Sequence, residues 1–570
     1  MMTSIHTIPR PDGAQSTALI LGGGLMQRPA ILAARSLGCR VVVVDGNPQA
    51  TCASLADIFV PLDLKDKEGI RLLALELVSQ GGLQGVFTAG TDFSATVSYV
   101  GESCGLAVHS YQSACNASHK ARMRECFKAA GVPSPDFVEV GAGKDAASVD
   151  EVIASLPSFG KGSPLVVKPV DNMGGRGCRL VNNRQELPAA LADACAHSRS
   201  GSAIVEGYME GPEFSIDALV YKDTVTICGF ADRHIFFPPY FIEMGHTIPT
   251  AIGHEDRLAL IATFVRGIRA LGLTCGAAKA DIKLTPRGPM IGEIAARLSG
   301  GYMSGWTYPY SSDFFLTQQA LAIALGLEPT ELLSRRQPLS GLPQDLPLAV
   351  YQVDSSRHCA ERAWISIPGK VAAVHGLEEV ASCSGVQDVL SRCRPGDTVA
   401  FPRNNVEKCG NILAVDDTWQ GAASRAQAAV KSIVMELAAP DEATEDFLSV
   451  PLCELRQTPS FPPAAFSLPP TVERQLAQYL SSSTEEFDPS CSLSQQLPPC
   501  LEPVLDSLVD WTHRSLRETV AMAQRILDGR TVCAPGCGTS LSLVRLWHAC
   551  ILGGVQGILY VVASTFRRDD

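Results

Sequence analysis

What the 570-residue chain lacks narrows it first. It has no excess of positive charge: 59 acidic residues against 47 lysines and arginines leave a net charge of −12. An acidic surface repels phosphate backbones, so no nucleic-acid partner is expected, although a local basic pocket for a small anion is compatible with that total. It has no CxxC pair. The 19 cysteines are scattered, and the nearest approach is Cys533-x-x-x-Cys537. They read as packed thiols of a reducing compartment rather than zinc ligands or a disulfide framework. The stretch "MMTSIHTIPRPDGAQ" lacks the apolar core of a signal peptide. The apolar run from Leu541 to Thr565 is interrupted by Arg545, His548 and Gly553-Gly554, and so reads as a buried helix and a strand, "GILYVVAS", rather than a membrane span. A cytoplasmic chain with no membrane partner is expected. A P-loop is also missing, because Gly143-Lys144 is followed by Asp, Gly160-Lys161 by Gly and Gly369-Lys370 by Val, where Ser or Thr must open a helix. There is no internal repeat.

What is there is enough apolar material, 46%, for sizeable cores, and a length that allows three or four domains. Residues 17–45 read as the start of a βαβ unit. "TALIL" is a strand, Gln27 to Leu37 a helix with Pro29 in its first turn, and "VVVVD" the next strand. A third strand, "GVFTAG", ends before a polar turn holding Asp92. The sum is an open parallel sheet whose strand ends form a crevice. The glycine turn of "LILGGGLMQRPA", with Asp45 about twenty residues on, resembles a dinucleotide fingerprint, but Gln27 stands where the third glycine belongs. A tight turn in an α/β domain fits equally well, so a nicotinamide oxidoreductase rests on that turn alone.

Further on, "SHKARMRECFKAAGVPSP" is an amphipathic helix with Met123 and Phe127 on one face. Apolar strands follow, then a helix near 313–326, and an α+β lobe ending in a helix near 422–437. Two Pro/Ser-rich stretches, 457–470 and 481–503, read as linker or extended cover. Thr512 to Leu527 is a clear amphipathic helix.

The chemistry is carried by three segments. "PLVVKPVDNMGGRGCRLV" is strand, glycine turn, strand, so Gly174, Gly175 and Gly177 can fold over phosphates with Lys168 at the base. An ordinary hairpin with a solvated lysine has the same pattern, and the stretch alone does not decide. "AIVEGYMEGPEFSIDAL" follows, where Glu206, the Gly207–Met209 backbone and Glu213 can serve a nucleoside. In "AAKADIKLTPRGPMIGEIAARLSGG" two strands flank a turn at Pro286 to Pro289, with Asp281 on one and Glu293 on the other. Paired carboxylates across a hairpin suit Mg²⁺, which takes few protein carboxylates and completes its shell with phosphate oxygens and water. Arg297 stands where it can stabilise charge on a transferred phosphoryl group.

In this order the segments resemble the ATP-grasp superfamily, whose members are mostly ATP-dependent carboxylate–amine ligases. The resemblance spans residues 17 to about 330. It continues loosely over 345–440, where "GDTVAFPRNNVEKCGNILAVDDT" looks like the C-terminal lobe of biotin-carboxylase-like members. It implies a multidomain α/β and α+β chain. A pre-grasp domain would cover 1–118 and an ATP-grasp domain 119–330, with its flap subdomain at about 125–208. A C-terminal lobe at 331–440, a linker or cover at 441–503 and a segment of unknown role at 504–570 would follow. In this family the glycine turn contributes to the substrate crevice and carries no nicotinamide.

By the same resemblance Lys120 and Lys168 would hold the phosphates under the flap, Glu206, Met209 and Glu213 adenosine, and Asp281 and Glu293 magnesium. Lys168 and Arg297 would be catalytic, and Ser299, Gly300 and Gly301 would line the acceptor pocket. Arg233, Glu243 and His246 fall where members contact substrate. Many members have Asn two residues after the second metal carboxylate; here it is Ala295, which leaves the number of ions, one or two Mg²⁺ or Mn²⁺, open. The expected activity is phosphorylation of a substrate carboxylate and its joining to an amine, with amino acids or dipeptides as substrates and a homodimer allowed. The alternatives are a bicarbonate-dependent, biotin-carboxylase-like enzyme and an ATP-binding protein with weakened catalysis.

Overall fold

Four consecutive valines dictate the first sheet. In the computed structural model, which describes residues 15–141, 147–156, 162–451, 461–529 and 540–566, strand β2 (Arg40–Asp45) lies between β1 (Thr17–Leu21) and β3 (Ile58–Pro61). With β4 (Leu83–Phe87) the order is β3-β2-β1-β4, all parallel. Alternate residues serve opposite faces. Ala18, Ile20, Val41 and Val43 pack with Ala30 and Ile31 of helix Arg28–Ser36, while Leu19, Leu21, Val42 and Val44 pack with Ile70 and Ala74 of helix Lys67–Ser79. A strand covered on both faces has no polar positions, which is why it reads as an unbroken apolar run. Each such side chain contributes about 1.5–3 kcal/mol by leaving water. The expected βαβ start is therefore present. Strand β3, half-buried and without a clear period, has no counterpart in the sequence reading.

A second sheet, antiparallel, has the order β5-β8-β6-β7, from β5 (Phe137–Val140), β6 (Leu165–Pro169), β7 (Arg179–Val181) and β8 (Ala203–Gly207). Helix Leu187–His197 packs on it through Leu187, Ala190 and Ala194. The third sheet runs β13-β12-β9-β10-β11, from β9 (Glu213–Tyr221), β10 (Thr224–Phe236), β11 (Ile242–Ile248), β12 (Gly276–Thr285) and β13 (Gly288–Ala295). Helix His254–Leu271 covers it with Phe264 and Val265, joined by the fully buried Met123 and Phe127 of helix Lys120–Ala129. The helix expected near 313–326 spans Leu316–Ala324.

The described residues fall into two compact units, 1–360 with 415–422, and 361–414 with 423–570. The strands given above belong to the first. In the second, strand Gly369–His375 pairs antiparallel with Val434–Leu437. The helix expected to reach 437 thus stops at Ser432, and the β-branched run after it enters a sheet instead. The Pro/Ser-rich stretches act as cover: Ala465, Phe466, Phe487, Leu493 and Leu501 are buried in one cluster with Leu476, Leu516 and Trp547. Helix Leu516–Asp528 opens with a capping box made by Ser515 and Glu518. Most of the N-terminal stretch, Gly143-Lys144, Gly160-Lys161, residues 457–460, Cys533 and Cys537 lie outside the described residues.

The strand expected at "GILYVVAS" is helical. Leu543–Thr565 is a helical hairpin that folds at Gly554, whose φ of 60° and ψ of −137° break the helix. Ser564 Oγ lies 3.4 Å from Arg545 Nη2, whereas 19 residues of straight helix would separate them by about 28 Å. A Cβ on Gly557 would stand 2.0 Å from the Ala549 carbonyl oxygen, so the two arms touch backbone to backbone. β-branched and aromatic residues resemble a strand, but nearly every residue of this segment is buried. There a helix satisfies its own backbone groups. Leu543–Thr565 is the one described segment that passes for a membrane span by length and composition, but each arm of the hairpin has about half that length, and 89% of its apolar window is buried within the protein.

Trp547 is fully buried and donates its indole N–H to the Gln496 carbonyl at 2.8 Å. Trp547→Ala is expected to cost about 3–5 kcal/mol, seen as a lowered urea midpoint for the second unit.

Candidate active site

The register of β12 on β13 sets the geometry. Asp281 and Glu293 are directly opposed, and Lys279 is opposed to Ala295. With a period of two, Lys279, Asp281 and Lys283 share one face of β12. Asp281 forms an ion pair with Arg233 Nη1 at 2.7 Å and another, closer, with Lys279 Nζ. Glu293 lies 3.7 Å from Lys120 Nζ. Burial would raise its pKa, but Lys120, Lys279, Arg297 and Lys168 together pull it down to about 2, so it is a carboxylate at any working pH. Both acidic side chains keep 21–29% exposure. Two hard oxygen donors on neighbouring strands suit a divalent cation that takes the rest of its shell from phosphate and water. No group of three or more His, Cys, Asp or Glu able to hold a metal occurs among the described residues.

Facing the pair are the two lysines at the base of the flap. Lys120 opens helix Lys120–Ala129 and its ammonium donates to the Asn172 carbonyl at 2.6 Å. Lys168, on β6, pairs with Glu206 Oε2 at 2.8 Å. Glu206 Oε1 accepts from Arg124 Nε at 2.7 Å, and Arg124 Nη2 reaches the Gly292 carbonyl at 2.5 Å. Arg124 and Glu206 are almost wholly buried. Burial pushes the Glu206 pKa up, and Arg124 and Lys168 more than reverse it. Both oxygens of Glu206, expected beside a nucleoside, are thus engaged by protein cations.

Between β6 and β7 the turn has the expected strand–loop–strand form, with Gly174, Gly175 and Gly177 all at positive φ. At Gly177 a Cβ would also come within 2.9 Å of His197 Cβ, so glycine is required twice over. Near the expected nucleoside segment, Met209 offers its carbonyl to Lys283 Nζ at 3.1 Å, and the backbone N–H groups of Gly207 and Tyr208 are spent on Asp136 and Pro164.

Arg233 is central rather than free. Its Nη1 pairs with Glu213 and Asp281, while Nε and Nη2 reach Glu243 at 3.3 and 2.9 Å. His246, fully buried, shares a hydrogen bond of 2.9 Å with the Thr307 hydroxyl, and its Nδ1 is 3.9 Å from Glu243. Ser299 donates its backbone N–H to Asp217 Oδ1 at 2.8 Å. The Ser299-Gly300 backbone packs against Gly90, where a Cβ would lie 3.1 Å from Gly300 Cα. Gly301, at φ 60°, continues that turn. Arg297 is buried and donates to the Leu298 carbonyl at 2.9 Å.

The structure therefore brings Lys120, Lys279, Arg297 and Lys168 around Glu293, with Asp281 opposite it. It adds several that sequence reasoning did not single out: Arg124, Lys279, Lys283, Asp217 and the role of Asp92. The last pairs with Arg199 at 3.2 Å, and burial raises its pKa against the pull of Arg297, Arg199 and Lys120. A charged residue on the apolar face of its helix was the available signal for Arg124.

The glycine turn near the start is closed on itself. Asp45 accepts from the Gly23 and Asn47 backbone N–H groups at 2.7 and 2.8 Å, so its carboxylate, the ribose ligand of a dinucleotide site, is already engaged. The Gln27 carboxamide bonds both backbone groups of Ala89, tying the turn to the end of β4. A glycine there would leave that strand end loose.

Residues 161–305 match the ATP-grasp domain family, and residues 363–438 match the L-amino acid ligase C-terminal domain 2 family. The chain thus carries an ATP-grasp domain followed by an L-amino acid ligase C-terminal domain. An uncharacterized protein, y4rH, of Sinorhizobium fredii is 26% identical over 355 residues, 62% of this chain and 68% of that one. Carnosine synthase 1 of Gallus gallus is 26% identical over 350 residues, 57% of this chain but only 37% of the relative, so the chain spans well under half of that protein. The crystal structure of L-amino acid ligase from Bacillus licheniformis shares the fold, with a TM-score of 0.60 and 21% identity over 75% of this chain and all of that one.

Asp217 is fully buried and its pKa is raised by burial to about 6, despite the Ser299 hydrogen bond and the charge of Lys279. An unfolded aspartate titrates near 4, so the folded state holds the proton more tightly and loses stability as pH rises between those values. Asp217→Asn, which keeps an acceptor for Ser299, is expected to stabilise the protein by roughly 1–3 kcal/mol at pH 7.5. That gain should fade below about pH 4 in paired urea titrations.

Proposed function

We propose that the chain joins the carboxylate of one amino-acid-like substrate to the amine of another, using ATP, with ADP and phosphate released. The observation that carries this reading is the direct opposition of Asp281 and Glu293 across a gap from Lys120 and Lys168. Asp281 and Glu293 would hold Mg²⁺, which when bound neutralises charge on the β- and γ-phosphates. Lys120 and Lys168 would bind those phosphates beneath the amides of the 172–177 flap, and the flap would exclude water. Glu206 acts through Lys168, holding its ammonium in place, rather than on the nucleoside itself. Met209 and Glu213 lie at the mouth of the adenosine site in this reading, with Lys283 fixing both.

Phosphate passes from ATP to the substrate carboxylate, and Arg297 stabilises the charge that builds on the transferred group. The acyl phosphate is then attacked by an amine nitrogen, phosphate leaves, and the amine proton passes to an acceptor. Glu243, held by Arg233 and close to His246, is the carboxylate suited to the ammonium of the acceptor substrate. Arg233 acts as the organiser of Glu213, Glu243 and Asp281. The Ser299-Gly300-Gly301 turn would shape the acceptor pocket. Amino-acid substrates are favoured by the L-amino acid ligase domain at 363–438 and by similarity to a carnosine synthase, over a bicarbonate-dependent reaction.

ATP consumption measured against paired panels of amino acids and small carboxylates, with ADP and AMP both quantified, tests this. ADP release that requires both an acid and an amine is expected; AMP as the product would overturn the acyl-phosphate route. Lys168→Ala and Glu293→Ala should each lower turnover by at least about a hundredfold. Near-full activity in either would mean that the site is elsewhere.

A further inference from the structure

The two acidic side chains of the proposed metal site are not alone on their face. One cross-strand pair further along, Lys279 stands opposite Ala295 on β13 and opposite Asp217 on β9. Its ammonium contacts Asp281 Oδ2, and its side chain is only 13% exposed. Two divalent ions require a carboxylate or amide that bridges or adds ligands. Ala295 offers no donor atom, and Asp281 turns one oxygen to Arg233 and the other to Lys279. Arg233 is shared with Glu213 and Glu243, so Lys279 is the cation that Asp281 shares with neither. On the same face of β12 as Asp281, the Lys279 ammonium is, with Lys120, Arg297 and Lys168, among the groups that keep Glu293 ionised.

We propose that Lys279 supplies, as a tethered ammonium, the positive charge that a second divalent ion would bring, so that ATP binds this chain with a single ion held between Asp281 and Glu293. The inference rests on the ATP-dependent reading of the site and deepens it by assigning a phosphate-facing role to a residue outside the flap and the metal pair. A lysine charge is permanent and fixed in place. Nucleotide affinity should therefore depend less steeply on free metal than two-ion binding would.

Mn²⁺ bound per chain can be counted by electron paramagnetic resonance in the presence of a saturating non-hydrolysable ATP analogue, alongside calorimetric affinity for the analogue. One nucleotide-dependent Mn²⁺ is expected in the unmodified protein. In Lys279→Ala the analogue should bind about tenfold more weakly at saturating Mn²⁺, while Lys279→Arg should stay within about threefold. Two ions in the unmodified protein would overturn the proposal and leave the ATP site standing, as would Lys279→Ala with unchanged affinity. Should Lys279→Ala fail to fold, the count in the unmodified protein and the Lys279→Arg affinity still decide it. Absence of any analogue binding would instead remove the ATP-dependent reading, and this inference with it.

Discussion

Arg124 fixes the distance across the site. Its guanidinium holds Glu206 on β8 with one nitrogen and the Gly292 carbonyl on β13 with another. One buried side chain thereby ties the second sheet to the third. The residue after Gly292 is Glu293, and the partner of Glu206 on the other side is Lys168. The gap between lysine and carboxylate is in effect the span of one guanidinium and its two acceptors. Burying such a network is expensive, and it persists because every charge in it meets an opposite one. Losing one member of a buried pair leaves an uncompensated charge, a loss of about 3–5 kcal/mol.

The same rule orders the rest of the site. Cations and carboxylates alternate in space: Lys120 beside Glu293, Lys279 beside Asp281, Arg233 among Glu213, Glu243 and Asp281, Arg199 beside Asp92. A polyanion such as a nucleotide would enter a surface whose charges are already positioned, so little reorganisation is needed on binding. Preorganised charge of this kind is the largest single source of stabilisation in phosphoryl transfer. The exceptions are informative. Asp217 is buried with a backbone N–H as its nearest donor, and its pKa rises accordingly.

Parts of this were legible in the sequence because they are local. "VVVVD" announces a doubly covered strand. Counting outward from the turn at Pro286 to Pro289 brings Asp281 within one residue of Glu293, a β-bulge makes the two directly opposed, and a lysine near the end of a strand before a glycine turn marks the flap. What stayed hidden depends on partners distant in the chain. Arg124 stands out in "HKARMREC" only by its place beside Met123 and Phe127, and its role is not visible until Glu206, 82 residues away, is seen to meet it. Glu206 looks like a free acceptor until both its oxygens are found engaged, and Gln27 like a failed glycine until its bonds to Ala89 are seen. The misread tail has the same origin. In "GILYVVAS" composition favours a strand, but in a buried environment a helix satisfies its own backbone groups.

The helical hairpin has a consequence for the order in which the chain matures. The core of the second unit draws on segments from Ile367 to Val562, and the two arms that meet at Gly554 supply its centre. Until those arms leave the ribosome, Phe447, Phe466, Leu476 and Leu493 have little to close against. The first unit needs nothing beyond residue 422. Synthesis thus separates the two in time: the strands that carry the candidate site can set early, while the earlier segments of the second unit wait for the hairpin to shield them, which is the interval in which chaperone holdases would find exposed apolar surface.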